Sequence, residues 1–289
     1  MSLIIAYVGK KGCVMASDKR RIAYFGNKRQ ALEDELYDGS ITTDEELYQR
    51  SKELDVPIKI SDDADKIRIV GNTVRGEVST KGTHETKRKR IYGTTNGYQI
   101  VELIGSETKS RQAGEKGIIL FGNDFAKKQA ETLIQRRWKA SHSLRLMGDI
   151  FEEILSEIAQ KTPTIGKEFD VLIQQPKFTT SEAQKHLNIT IDADIKVLTK
   201  YRQQLTEELI QKTREIELAN KIIDDGPIGK VESIDGKMIE VKLNDKTQAF
   251  NFNWKPLAGP NQKVIIKDEV LCLKKNSSPL SCNIILCSL

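Results

Sequence analysis

The run SLIIAYVGKKGCVMASDKRR at residues 2–21 reads as an antiparallel β-hairpin that begins almost at the first residue. Leu3 to Gly9 is an apolar run of strand length, Lys10-Lys11-Gly12 supplies a turn, and Cys13 to Ser17 returns as the partner strand. Charge appears only where the second strand ends, in ASDKRR at 16–21, so Asp18 and Arg20 come back beside the start of the first strand. A chain end held in a sheet can be positioned, whereas a frayed one cannot.

That placement makes Ser2 the first candidate for chemistry. A small residue after the initiator Met permits removal of Met1, which would leave an α-amine and a hydroxyl on one residue. An α-amine ionises near about 7.7–8.0, so a good fraction is neutral at physiological pH and can take the hydroxyl proton during attack on a carbonyl. A Met-Ser start is also common in proteins without such chemistry, and the hairpin is what lends Ser2 weight. Asp18 is suited to orient the amine and balance a neighbouring lysine, with Arg20 pairing to Asp18; taken alone, DKRR at a strand end is an ordinary solvated turn. An oxyanion needs backbone N–H groups at close approach, which glycine permits, and Gly105 in ELIGSE is the preferred donor over Gly122 in LFGND.

The rest of the chain sets the frame. With 289 residues and 38% hydrophobic content, one good core and a second smaller one are expected. Residues 28–60 are charged and helix-forming, with Thr43 or Asp44 able to cap the second segment, and read as an insertion on the sheet. Short alternating stretches follow at 66–70, 73–79, 89–93 and 98–104, then a strand at 117–121. Helices are expected at 124–138, capped by Asn123 or Asp124, and at 144–160, before a strand at 168–175. Ile195, Leu198, Leu205, Leu209, Ile216 and Ile223 recur at coiled-coil-like spacing, which marks a connector or helical hairpin. Past Asp224-Asp225-Gly226-Pro227, short strands alternate with turn signals and suggest a small β-barrel. The fold class is therefore α+β: a sheet-and-helix domain at 1–179 carrying the insertion, a helical segment at 180–226, and a small C-terminal β-barrel at 227–289.

Composition narrows the function classes. The formal charge is +5, from 46 Lys+Arg against 41 Asp+Glu, too modest to demand nucleic acid. Cys13, Cys272, Cys282 and Cys287 lack CxxC spacing and are expected as reduced core residues of a cytoplasmic protein. His84, His142 and His186 have no second ligand at metal spacing, so no metal and no cofactor are expected. Trp254 in FNFNWKP is expected to pack on the barrel rather than stack on a base. Neither a signal peptide nor a membrane span is expected.

The run at 2–21 closely resembles the start of mature proteasome β-subunits, with Ser2, Asp18 and Arg20 on the nucleophile, acidic and arginine positions. The two helices and the strand after them follow the same order, which implies a proteasome-like N-terminal-nucleophile (Ntn-hydrolase-like) fold. The basic pair of that pattern corresponds to Lys89-Arg90 in KRKRIYG at 87–93. Counting back from Ile91 favours Arg90, whereas chemistry favours Lys89, because lysine can transfer protons and arginine stays charged. The Met-Ser start, GKKG turn, DKRR, RIYG and terminal β-rich module together resemble the archaeal connectase family of methanogens. That resemblance implies a protein ligase that cuts within a Lys-Asp-Pro-Gly-Ala-type motif of a methyltransferase subunit and rejoins the acyl part to another amine. Two other readings stand beside it: the same apparatus resolved by water, a peptidase, or a non-catalytic protein in which the 87–90 cluster binds nucleic acid or an acidic partner.

Overall fold

The computed structural model describes residues 3–26, 28–82, 85–222, 229–236, 238–251, 253–267, 270–273 and 285–288. Ser2, His84, Cys282 and the side chains of Cys272 and Cys287 lie outside the described residues. The chain divides into two compact units, Met1–Thr199 and Lys200–Leu289.

In the first unit, β1 (Ile4–Gly9) and β2 (Gly12–Asp18) form the expected hairpin, with Ile4 opposite Ser17 and Gly9 opposite Gly12. Gly12 takes φ +137°, and a Cβ there would run into the Gln174 carbonyl, so the turn requires glycine. β3 (Arg21–Tyr24) is followed by α1 (Arg29–Asp38), α2 (Asp44–Glu53) and β4 (Ile58–Ser61), which pairs with β3. The expected insertion thus carries a core of its own, in which Leu32, Leu36, Leu47 and Val56 pack with Ile22 and Tyr24 of the flanking segment. Thr43 caps α2 in a reciprocal arrangement with Glu46.

β5 (Ile67–Val70), β6 (Thr73–Lys81), β7 (Thr86–Thr94), β8 (Gly97–Ile104) and β9 (Glu107–Gly114) form a sequential antiparallel sheet. β10 (Gly117–Phe121) then returns to β1, followed by α3 (Asp124–Arg137), α4 (Leu144–Ala159) and β11 (Phe169–Gln174), which pairs with β2. The resulting sheet has the order β10-β1-β2-β11. Its central strands are buried on both faces, which is why they read as nearly continuous apolar runs. Leu3, Ile5, Val14 and Ala16 pack against Ala130, Met147, Phe151 and Ile154 of α3 and α4. The alternate residues Ile4, Ala6, Cys13 and Met15 pack against Ile67, Val74 and Ile91 of the five-stranded sheet. The two sheets approach so closely that a Cβ on Gly93 would lie 2.7 Å from Cys13 Sγ. Burial in this interface pushes the Cys13 thiol up to about 12 and leaves it inert.

α5 (Thr180–Ala219) is one helix, not a hairpin, and its first half belongs to this unit. Leu187 and Ile191 cover Tyr92, Val101 and Leu103 on the outer face of the five-stranded sheet. The layers therefore run helix, sheet, sheet, helix. In the second unit, Leu218 near the end of α5 packs with Phe250 and Trp254. The strands there are β12 (Gly229–Asp235), β13 (Met238–Leu243), β14 (Thr247–Phe250), β15 (Pro256–Ala258), β16 (Lys263–Lys267), β17 (Val270–Leu273) and β18 (Ile285–Ser288). They form two antiparallel sheets, β12-β13-β16-β17 and β15-β14-β18, in the region where the sequence suggests a barrel. Among the described residues no helix is long and apolar enough to cross a membrane.

Candidate active site

Asp18 ends β2 with a fully buried side chain, and four donors converge on its carboxylate. Oδ1 accepts from the Leu3 amide at 2.9 Å; Oδ2 accepts from the Arg20 amide at 2.9 Å, the Lys66 ammonium at 2.7 Å and the Gly166 amide at 3.3 Å. A buried carboxylate is tolerated because it is paired and its lone pairs are filled. The carboxylate thereby ties the residue after Ser2, the strand end, the residue before β5 and the loop after α4 into one knot.

Lys66 is the cation at this centre. Its side chain is 8% exposed. Burial pushes the ammonium down to about 8, with the attraction of Asp18 only partly offsetting the lost hydration. A lysine at that value exchanges a proton near physiological pH, which an ordinary surface lysine does not.

Arg20 reaches Asp18 through its backbone, not through its guanidinium as the sequence suggests. The guanidinium instead grips both oxygens of Asp62, at 2.8 and 3.1 Å, and also donates to the Asp44 carboxylate and, at 3.1 Å, to the Pro163 carbonyl. Arg20 thus clamps the start of α2 and the segment before β5 onto the loop after α4.

The structure does not bring Lys89 or Arg90 to Asp18. Lys89, exposed, lies on the same face of β7 as Ile91, where it pairs with Glu102 at 3.1 Å and lies 5.5 Å from the Phe121 ring centre. Arg90, one residue on and facing the other way, bonds Glu77 and Asp194 beneath α5. Alternation along the strand sends the pair to opposite faces, and neither side chain bonds the Asp18 carboxylate. Gly105 also takes another part: its N–H donates to the Thr86 carbonyl at 2.9 Å in the β8–β9 turn, where φ is +64°. With that N–H committed, Gly105 offers no oxyanion donor.

Sequence reasoning missed Lys66, although it precedes an apolar strand just as Lys89 precedes Ile91. It also missed a buried polar chain behind the Gly166 loop. Asn123 accepts from the Ala126 amide to cap α3 and donates at 3.2 Å to Thr164 Oγ1, which lies 3.1 Å from Thr162 Oγ1. All three side chains are buried, so the loop that sends its amide to Asp18 is fixed to the start of α3.

Residues 1–196 match the family model described as Connectase MJ0548-like, N-terminal domain, and residues 200–287 match Connectase MJ0548-like, C-terminal domain. The chain belongs to the connectase family. The two connectase domains meet at the same place as the two compact units. A solved structure, Anbu (ancestral beta-subunit) from Yersinia bercovieri, is 11% identical over 70% of this chain and 97% of that chain, with a TM-score of 0.32. No curated protein matches. Membership of the connectase family gives the chain a protein-processing role on the peptide bonds of a protein substrate.

Proposed function

We propose that this connectase is a protein ligase in which Ser2, exposed as the amino terminus once Met1 is removed, forms an acyl-enzyme and passes the acyl group to a second amine. The observation that carries this reading is the buried Asp18 carboxylate holding the Leu3 amide and the Lys66 ammonium together, because Leu3 is the residue next to Ser2. The helix, sheet, sheet, helix layering supports a proteasome-like N-terminal-nucleophile fold for the first domain, and for the second domain, with its two antiparallel sheets, the reading is a small β-barrel.

In the reaction the Ser2 hydroxyl attacks the scissile carbonyl and its proton passes to the α-amine or to neutral Lys66. Collapse of the tetrahedral intermediate expels the leaving amine, which takes up that proton, and leaves an ester on Ser2. Attack by the second amine re-forms an amide and restores the hydroxyl. One peptide bond replaces another, so the exchange is nearly isoenergetic and needs no nucleotide or cofactor. The ester can also shift to the adjacent α-amine as an amide, a reversible store that resists water. The substrate we assign is a methyltransferase subunit carrying a Lys-Asp-Pro-Gly-Ala-type motif, in the cytoplasm of an archaeal methanogen.

The test mixes a peptide bearing that motif with a second, motif-bearing amine and follows products by mass. Exchange products support ligation, whereas hydrolysed fragments alone leave a peptidase. Salt-sensitive nucleic-acid binding with Ser2 dispensable would overturn both.

A further inference from the structure

A cleft of about 560 Å³ opens beside the Asp18 knot. One wall is continuous with that knot: Phe169 is the ladder partner of Asp18, and Ile165 precedes the Gly166 amide that bonds it. The other wall comes from the insertion, through Thr42, Asp44 and Glu45 at the start of α2. Arg20 fixes the distance between the walls, since its guanidinium binds Asp44 on one side and the Pro163 carbonyl on the other. The cleft is thus framed by the inserted segment on one side and by residues adjoining the Asp18 knot on the other.

Its charged groups differ in how they are used. Asp44 and Arg20 are spent on each other. Glu45 and Lys167 also line the cleft, are exposed, and have no ion-pair partner among the described residues. They come from different elements, Glu45 from the first turn of α2 and Lys167 from the loop before β11. Below them Ile165, Ala159 and Phe169 supply an apolar floor. A polar rim with two free charges of opposite sign over an apolar floor suits an extended peptide rather than a small anion or a compact apolar ligand.

We infer that this cleft seats the segment of the protein substrate flanking the exchanged bond, with a basic side chain at Glu45 and an acidic one at Lys167. The inference rests on the reading of Ser2 as nucleophile and adds where the substrate is read and by which groups. It gives the insertion a purpose: the core places the chemistry, and the inserted helices supply the specificity wall.

The test uses the full chain with Ser2→Ala, so that binding is measured without turnover, and titrates it calorimetrically with the peptide Lys-Asp-Pro-Gly-Ala in a longer flank. Glu45→Lys should weaken binding about tenfold, and a peptide with its lysine changed to glutamate should recover most of that loss only on the Glu45→Lys protein. Lys167→Glu and a peptide with its aspartate changed to lysine should behave reciprocally. Both positions are exposed, and unchanged melting confirms intact folding. Equal affinity of all pairings, or no binding by any of them, overturns the cleft assignment. Exchange by the unaltered chain in the same preparation would then show that the ligase reading survives without it, and its failure would show that the reading itself is wrong.

Discussion

Lys66 and Asp18 make demands on each other that can be measured separately. Lys66→Met should lower activity by about 10²–10⁴-fold, the usual weight of a positioned acid–base group. Lys66→Arg should rescue little of it, because arginine keeps the charge but does not transfer the proton. With Lys66 near 8, activity should climb as pH rises through about 8, and that inflection should vanish in both variants. Stability follows the same proton. The folded value lies below the ordinary lysine value of 10.5, so between about 8 and 10.5 the unfolded chain holds more protons and stability rises with pH. Melting curves across that window should show the rise in the unaltered chain and a smaller one in Lys66→Met. Asp18→Asn should abolish most activity, move the Lys66 inflection below 8, and cost about 1–3 kcal/mol, since an amide cannot accept all the bonds the carboxylate accepts. An unchanged inflection would show that Asp18 does not govern Lys66. Asp18 was legible in the sequence because it is the first acid after an unbroken apolar strand. Lys66 was not, because nothing local distinguishes a lysine that folding will bury from one that it leaves in water.

α5 is held by a second buried knot, in which Asp194 accepts from Tyr92 at 2.7 Å, from Arg75 and Arg90 at 3.0 Å each, and from Arg68 at 2.8 Å. Asp194→Ala takes the close carboxylate from buried Arg75 and leaves Arg90 with Glu77 alone, and should destabilise the first unit by about 3–5 kcal/mol in urea unfolding. A loss below about 1 kcal/mol would mean that the apolar contacts of Leu187 and Ile191 hold the helix unaided. At this scale periodicity served the sequence reading well: α3, α4, β10 and β11 lie within one or two residues of their expected bounds. β9 was missed because ETKSRQAG has no apolar alternation, being exposed along nearly its whole length as an edge strand. The apolar spacing of α5 continues past Thr199, which is why the sequence marks it as a helical segment of its own. Only contacts reveal that the part before that point covers a sheet, whereas Leu209 and Ile216 beyond it stay more than 60% exposed.

For the whole molecule, the boundary that matters is the one between Thr199 and Lys200. A chain ending at residue 199 should melt cooperatively and keep the Asp18 knot, whereas one ending at residue 179 should aggregate, because Tyr92, Val101 and Leu103 lose their cover. Equal behaviour of the two truncations would contradict the assignment of the first half of α5 to the first unit. Order of elements was readable along the chain, but the stacking of two sheets was not, since it is fixed by which face each strand buries and by close approaches such as Gly93 on Cys13. Whether Ser2 carries the acyl group is decided by the intact mass of the chain after brief mixing with the motif peptide. A species lacking Met1 and heavier by the acyl part of the peptide should form, and should be absent from Ser2→Ala and from a chain that retains Met1. The same adduct on the Ser2→Ala protein would contradict Ser2 as the carrier.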